Sequence, residues 1–268
     1  MTIPGDNLSA RLQTDRPHSA RVWNYLLGGK DHYPPDAAVG EQILTTFPDF
    51  AAVARLQRHF LARAVRHLAG EAGIRQFLDV GTGLPTADNT HELAQRIAPE
   101  SRVVYVDNDP LVLVHARALL TSTPEGACAY VDADVRDPAR IIAEARRTLD
   151  FDQPIALTLL GIMGQLSDDE SPAAVVADIL DALPSGSYLA LSDGTDTSEA
   201  LNTAVAAYNS QSAHTYHLRN PDHIATFFEG LDLIAPGVVP TPDWHPELST
   251  YPGPAVRGHA VCGVGRKG

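Results

Sequence analysis

Cysteine is nearly missing from this chain: Cys128 and Cys262 are the only two in 268 residues. Two cysteines so far apart build neither a disulfide framework nor a zinc knuckle, so both are read as reduced and structural. Basic excess is missing too. Twenty Lys and Arg stand against 33 Asp and Glu, a net charge of -13. That balance argues against a general nucleic-acid binder, because phosphate-backbone binding runs on clustered cations. No apolar run reaches the length needed to span a bilayer. The first residues lack a basic stretch followed by an apolar one, so no signal peptide is expected and the chain reads as cytoplasmic. Repeats, low-complexity segments, a Walker loop and a Gly-x-Ser-x-Gly elbow are all absent. His214 and His217, three apart in His-Thr-Tyr-His, suit ligands on a helix, but no cysteine or nearby carboxylate completes a site, and no metal is expected.

What is present is ordinary for a globular protein: 44% hydrophobic and 20% charged residues, with length enough for a sizeable core. Residues 1–16 are polar and read as a loose tail. A helix is expected from Arg21, where Val22, Tyr25 and Leu26 fall at helical spacing and Gly28-Gly29 closes the run. Pro34-Pro35 bars any continuation. Further helices are expected over 36–46 and 50–69. In the latter Val53, Leu56, Phe60, Leu61, Val65 and Leu68 share a face, with Arg55, Arg58, Arg63 and Arg66 off it.

From there the chain alternates. Apolar runs at 76–80, 102–107, 127–132, 155–160 and 187–192 are separated by amphipathic segments at 88–97, 110–120, 138–148 and 168–183. Strand-helix alternation of this kind specifies a parallel sheet with helices on both faces, and the runs are apolar throughout, as strands covered on both sides require. A helix at 198–208 follows. Two closing runs, 231–236 and 258–265, lack a helix between them and read as an antiparallel pair at the sheet edge.

The chemistry gathers at the strand ends. Phe77-Leu78-Asp79-Val80-Gly81-Thr82-Gly83 is a buried strand ending in an acid, then a tight turn through two glycines. Glycine tolerates φ > 0 and lets backbone approach a ligand closely. Open α/β sheets hold ligands at these carboxyl ends. Alone, the turn is also consistent with an ordinary strand-to-helix connection. The second strand, Val103 to Asp107, ends in a carboxylate suited to both ribose hydroxyls of an adenosine group. Asp107 reads equally as a helix N-cap, but Asp109 before Pro110 can take that duty. After the third strand, Asp134 is placed to meet an adenine amino group and Val135 to give a backbone contact or apolar wall, although Asp-rich loops are often plain turn chemistry.

On these residues the chain resembles the actinobacterial S-adenosylmethionine methyltransferase-like family known as DUF574. The resemblance lies in FLDVGTGLPTADNTHELAQ from Phe77, RVWNYLLGGKDHY at 21–33, YVDNDP at 105–110 and DADVRDP at 132–138, and it spans about 17–266. It implies a class I methyltransferase fold: a Rossmann-like, seven-stranded, mostly parallel sheet with an antiparallel last strand and a helical N-terminal extension. It implies residues 1–70 as tail and helical lid, and 71–268 as the S-adenosylmethionine-binding domain. The expected cofactor set is Asp79, Gly81, Thr82, Gly83, Asp107, Asn108, Asp134, Val135 and the backbone of Gly161. Pro85 occupies the usual third glycine position, a departure the family shares.

The resemblance also places the segment from Arg21 to Tyr33 as a lid over the strand ends, with Tyr25, Lys30, His32 and Tyr33 as the candidates for catalysis. A solvated helix end is the plain alternative for Lys30. Methyl transfer needs mainly positioning, and a general base only if the nucleophile must lose a proton. The fourth strand ends Leu159-Leu160-Gly161-Ile162, without the Asp- or Asn-Pro-Pro signature of amide methylation, which favours a small-molecule acceptor. Trp244 among Pro240, Pro242 and Pro246 reads as a rigid connection and one wall of a substrate pocket. A homodimer is in keeping with lid-bearing enzymes of this class. Two other readings stand beside a methyltransferase. An NAD-dependent dehydrogenase shares the glycine turn, but its fingerprint wants Gly or Ala where Thr86 stands. A non-catalytic module binding S-adenosylmethionine or S-adenosylhomocysteine shares everything, because fold does not fix function.

Overall fold

Five parallel strands form the spine of the structure, a computed structural model that describes residues 12–119, 121–212, 214–250 and 259–268. They are β1 (Gln76–Val80), β2 (Arg102–Asp107), β3 (Ala127–Asp132), β4 (Ala156–Leu160) and β5 (Tyr188–Gly194). The sheet is completed by β6 (Leu231–Leu233), the two-residue β7 (Val239–Pro240) and β8 (Ala260–Lys267). Its order is β3-β2-β1-β4-β5-β8-β6, with β7 also pairing β8, and β8 runs antiparallel to all three of its neighbours. The expected seven-stranded path is there, with β7 as an eighth piece. The reversal of order beside β1 opens the crevice where such sheets take ligands.

Each face of the sheet is covered. Phe77, Val103 and Tyr105 point to one side and meet Phe60, Leu61 and Val65 of α3 (Phe50–Arg66), with Leu68 just beyond its end. Leu78, Val104, Leu157 and Leu189 point to the other and meet α6 (Pro138–Ala145) and α7 (Pro172–Asp181). A third apolar cluster joins α1 (Ser19–Leu26) and α2 (Pro34–Thr46) to α8 (Glu199–Asn209) across the strand ends. The remaining helices are α4 (Thr90–Ile97), α5 (Pro110–Leu119) and α9 (Pro221–Thr226).

Local chemistry sets the helix ends. Proline opens α2, α5, α6, α7 and α9, where its missing N–H costs nothing and its φ is already helical. Glu92 accepts the amide of the α4 cap Asn89 at 2.9 Å, so α4 starts at Thr90 rather than near 88. The helix expected over 168–183 is two pieces: a 3-10 turn, Asp168–Glu170, and α7, separated by Ser171 at φ 51°. Pro172 explains the break, because the residue before proline is driven out of the helical region. Similarly, α3 stops at Arg66 and gives way to a π-type turn, His67–Glu71, and α6 stops at Ala145. His214, in a bend, and His217, in irregular chain, are not on a helix. Of the expected loose tail, residues 1–11 lie outside the described residues, as do 120 and 258 at the edges of two expected elements.

Two readings of α3 and its surroundings need correction. Arg63, read as lying off the buried face, is only 2% exposed. Its guanidinium donates to the carbonyls of Trp244 (2.7 Å) and Thr241 (2.5 Å), so irregular chain supplies the acceptors that let a cation be buried. Trp244 is fully buried edge-on to Phe60 at 5.4 Å, on the α3 face of the sheet, and is no wall of the cavity described next. Among the described residues, no helix is long and apolar enough to cross a membrane.

Candidate active site

The glycine turn after β1 is held by β2. Gly81 and Thr82 donate their amides to the Val106 carbonyl at 2.8 and 3.3 Å, and Gly83 donates to Asp107 Oδ2 at 2.9 Å. Gly81 sits at φ 74° and Gly83 at φ 68°, both in the left-handed region. A Cβ on Gly81 would come within 2.6 Å of Ile162, whereas one on Gly83 would meet nothing within 4 Å. One glycine is needed for packing; the other borders open space.

Asp79 lies beneath the turn and is fully engaged inside the protein. Thr158 of β4 donates to its Oδ1 at 2.8 Å and Thr90 of α4 to its Oδ2 at 2.5 Å. Burial pushes its carboxyl above the ordinary range, opposed by those two hydroxyls and by the Arg58 charge. At the end of β2, Asp107 takes the Gly83 amide on one oxygen and the Asp109 amide on the other, both at 2.9 Å. Burial raises its pKa to about 6. Asp109 accepts the Leu111 amide at 2.9 Å, so it does serve the start of α5. Past β3, Asp134 accepts from the Asn108 side-chain amide (2.8 Å) and the Arg136 backbone (2.9 Å). Burial works against its charge, yet these bonds and the Arg136 guanidinium hold its carboxyl below the ordinary value.

All nine expected cofactor residues (Asp79, Gly81, Thr82, Gly83, Asp107, Asn108, Asp134, Val135 and Gly161) line one cavity of about 210 Å³. The N-terminal helices wall the same cavity with Val22, Trp23, Asn24 and Leu26. Helix α1 is held in place by a buried ion pair: Arg21 donates through Nε and Nη2 to both oxygens of Asp109, each at 2.9 Å, with the two side chains 1% and 0% exposed. Asp36 secures the turn between α1 and α2 by accepting the amides of His18 and Tyr33, both at 2.8 Å.

Tyr25, Lys30, His32 and Tyr33 are not brought to the glycine turn and do not line the cavity. The Tyr25 ring covers Gly40 and meets His32 edge-on at 5.2 Å. Tyr33 stacks under the Arg21 guanidinium at 5.3 Å, and Lys30 is exposed. The cause is the turn at Gly28-Gly29, whose amides close α1 on Tyr25 and Asn24 (2.9 and 2.8 Å) and send 30–33 towards the start of α2.

Other cavity residues carried no sequence signal read above. Gln57 and Arg58 reach it from α3; Gln57 donates to Ser192 at 3.0 Å and Arg58 to the Asp88 carbonyl at 3.0 Å. Tyr216 lines it too, and its hydroxyl donates to Asp193 at the end of β5. Asp193 also accepts the amides of Gly164 (2.7 Å) and Gly194 (2.9 Å), and burial raises its pKa to about 6. Burial likewise keeps the Tyr216 phenol protonated. Asp193-Gly194 repeats the acid-then-glycine signature of β1 and could have been read from it. Among the described residues no cluster of three or more His, Cys, Asp or Glu is placed to hold a metal.

The profile of the S-adenosyl methyltransferase family matches residues 5–268. A DUF574 family protein from Streptomyces avermitilis is 44% identical, with a TM-score of 0.92 over 96% of this chain and all of its own. A Thermobifida fusca protein assigned provisionally to the methyltransferases is 40% identical, with a TM-score of 0.86 over 100% of this chain and 99% of its own. An Anabaena variabilis SAM-dependent methyltransferase shares the fold alone, at 13% identity and a TM-score of 0.51 over 76% of this chain and 84% of its own. No curated protein matches the chain. With its profile spanning residues 5–268, the chain belongs to the S-adenosyl methyltransferase family, whose methyl donor is S-adenosylmethionine.

Proposed function

We propose that this protein transfers a methyl group from S-adenosylmethionine to a small molecule enclosed between residues 1–70, as lid, and the domain formed by 71–268. One observation carries the reading. The glycine turn, the acids after β2 and β3, the end of β4 and the inner side of α1 all border one cavity, so donor and acceptor can meet out of bulk water.

The residues present suit the donor. Gly83 faces open space where a Cβ would intrude, and the Asp107 oxygens, which accept the Gly83 and Asp109 amides, have further lone pairs for two ribose hydroxyls. Asp134 and Val135 suit the adenine edge. Arg58, a cation on the cavity wall, suits the carboxylate of the methionine part, and the Gly161 carbonyl its ammonium. When bound, the donor supplies an already activated methyl group, so the protein's part is alignment and exclusion of water. The buried Arg21–Asp109 pair performs the second task by holding α1 against the start of α5.

Incubation with methyl-labelled S-adenosylmethionine and a panel of small-molecule acceptors tests this. Label in an organic product, dependent on one acceptor class, is the expected outcome. Tight donor binding with no turnover on any acceptor would instead point to a non-catalytic module.

A further inference from the structure

The cavity divides by charge. Its charged lining residues, Arg58, Asp79, Asp107, Asp134 and Arg136, all belong to the donor's end. The opposite end is walled by Val22, Leu26 and Phe50 of the lid region and by Leu201, Val205 and Leu218. Among the described residues this chamber has no carboxylate, lysine or arginine on its wall. Its histidines do not replace one: burial lowers the pKa of His18 and of His259, and His214 is exposed. A charged acceptor would therefore lose its hydration with no countercharge to meet it.

Two tyrosines line the chamber, Tyr208 of α8 and Tyr216. Tyr216 lines it, packed over Gly164 and Gly194 between the ends of β4 and β5. Its proton is committed to Asp193, and the Gly194 amide approaches the phenol oxygen only at 3.4 Å. The phenol oxygen thus has a lone pair to offer but no proton, and it selects an acceptor that brings a donor hydrogen.

We propose that the acceptor is a neutral, largely apolar molecule whose hydroxyl is methylated while hydrogen-bonded to Tyr216, with Asp193 behind it as the final holder of the proton. The acceptor oxygen forms its bond to the methyl carbon as the methyl–sulfur bond breaks and leaves its electron pair on sulfur. The hydroxyl proton moves to the Tyr216 oxygen while the Tyr216 proton moves to Asp193. Solvent later removes it. Groups facing Asp193 are the Tyr216 hydroxyl, the Gly164 and Gly194 amides, and the Arg219 charge.

This rests on the methyltransferase reading above, and binding separates the two. Protein loaded with S-adenosylhomocysteine is titrated with naphthol, naphthoate and naphthylmethylamine, three probes of one size and different charge. Naphthol is expected to bind at least tenfold tighter than either ion. Tyr216→Phe is expected to weaken naphthol by a factor of roughly 3–10, the scale of one neutral hydrogen bond. It is also expected to slow methyl transfer to naphthol by about 100-fold, the lower range of proton-transfer catalysis, and to abolish the fall in rate expected of the parent below about pH 6. Unchanged S-adenosylhomocysteine affinity shows that the variant is folded. As a second variant, Val205→Lys places a cation in the chamber and should bring naphthoate up to naphthol's affinity. The proposal is overturned if either ion binds the parent as well as naphthol, if none of the three binds, or if Tyr216→Phe keeps the parent's rate and pH profile. Failure of S-adenosylhomocysteine itself to bind would overturn the methyltransferase reading instead.

Discussion

At Asp107 one buried carboxylate has two tasks: it steadies the glycine turn through Gly83 and presents its remaining lone pairs to the cavity. Asp107→Ala is expected to weaken S-adenosylhomocysteine binding by about 1–3 kcal/mol, the range for hydrogen bonds to a charged group. Ribose hydroxyls are best accepted by the ionised form, and burial brings its pKa up to about 6. Affinity should therefore fall as pH is lowered through 6 in a calorimetric series, and Asp107→Asn should bind weakly but without that slope. This residue was legible in the sequence because it ends a short, wholly apolar strand, a place that leaves an acid little purpose except a cap or a ligand. Arg58, Asp193 and Tyr216 were not read. Arg58 sits among arginines that periodicity assigns to solvent, and Tyr216 comes from a segment with no period at all.

Among the elements, α1 depends most on a single contact. Arg21 and Asp109 are separated by 88 residues and both are buried, so removing Arg21 leaves the Asp109 charge with only His18 Nδ1, at 3.2 Å, and the Leu111 amide beside it. Arg21→Ala is expected to destabilise the docking of α1 by about 3–5 kcal/mol, and proteolysis should cut the α1–α2 region well before the sheet. Arg21→Lys should rescue only part of this, since lysine lacks the two-pronged geometry. Equal proteolysis of parent and Arg21→Ala would contradict the clamp. Periodicity revealed that α1 is a helix and glycine chemistry where it stops, but its partner across the fold left no local trace. The split at Ser171 shows the opposite case: Pro172 was visible, and the apolar pattern either side of it ran on as if one helix. Trp244 was expected to wall the substrate pocket and packs under α3 instead, because proline-rich chain fixes stiffness and not direction.

For the whole molecule, five strands matched their expected places closely, since buried parallel strands are short, apolar and bounded by turns. Their common end gathers Asp79, Asp107 and Asp193 in a low-dielectric region, and that has a cost. Asp107 and Asp193 both hold protons more tightly folded than unfolded, with pKa values near 6 against an ordinary carboxylate. The folded state then binds more protons between about pH 4 and 6, so these two groups make the free protein more stable as pH falls from 7 to 5. Each contributes on the order of 2 kcal/mol, and Asp107→Asn should flatten the slope in chemical denaturation. A bound donor should offset the cost: at one hundred times its Kd, S-adenosylhomocysteine is expected to stabilise the protein by about 2.7 kcal/mol, visible as a raised Tm. Most direct of all is calorimetric titration of the protein, near neutral pH, with S-adenosylhomocysteine and separately with NAD. One site of micromolar affinity for S-adenosylhomocysteine and no heat with NAD is the expected result; binding of NAD with none of S-adenosylhomocysteine would contradict the assignment of the cradle.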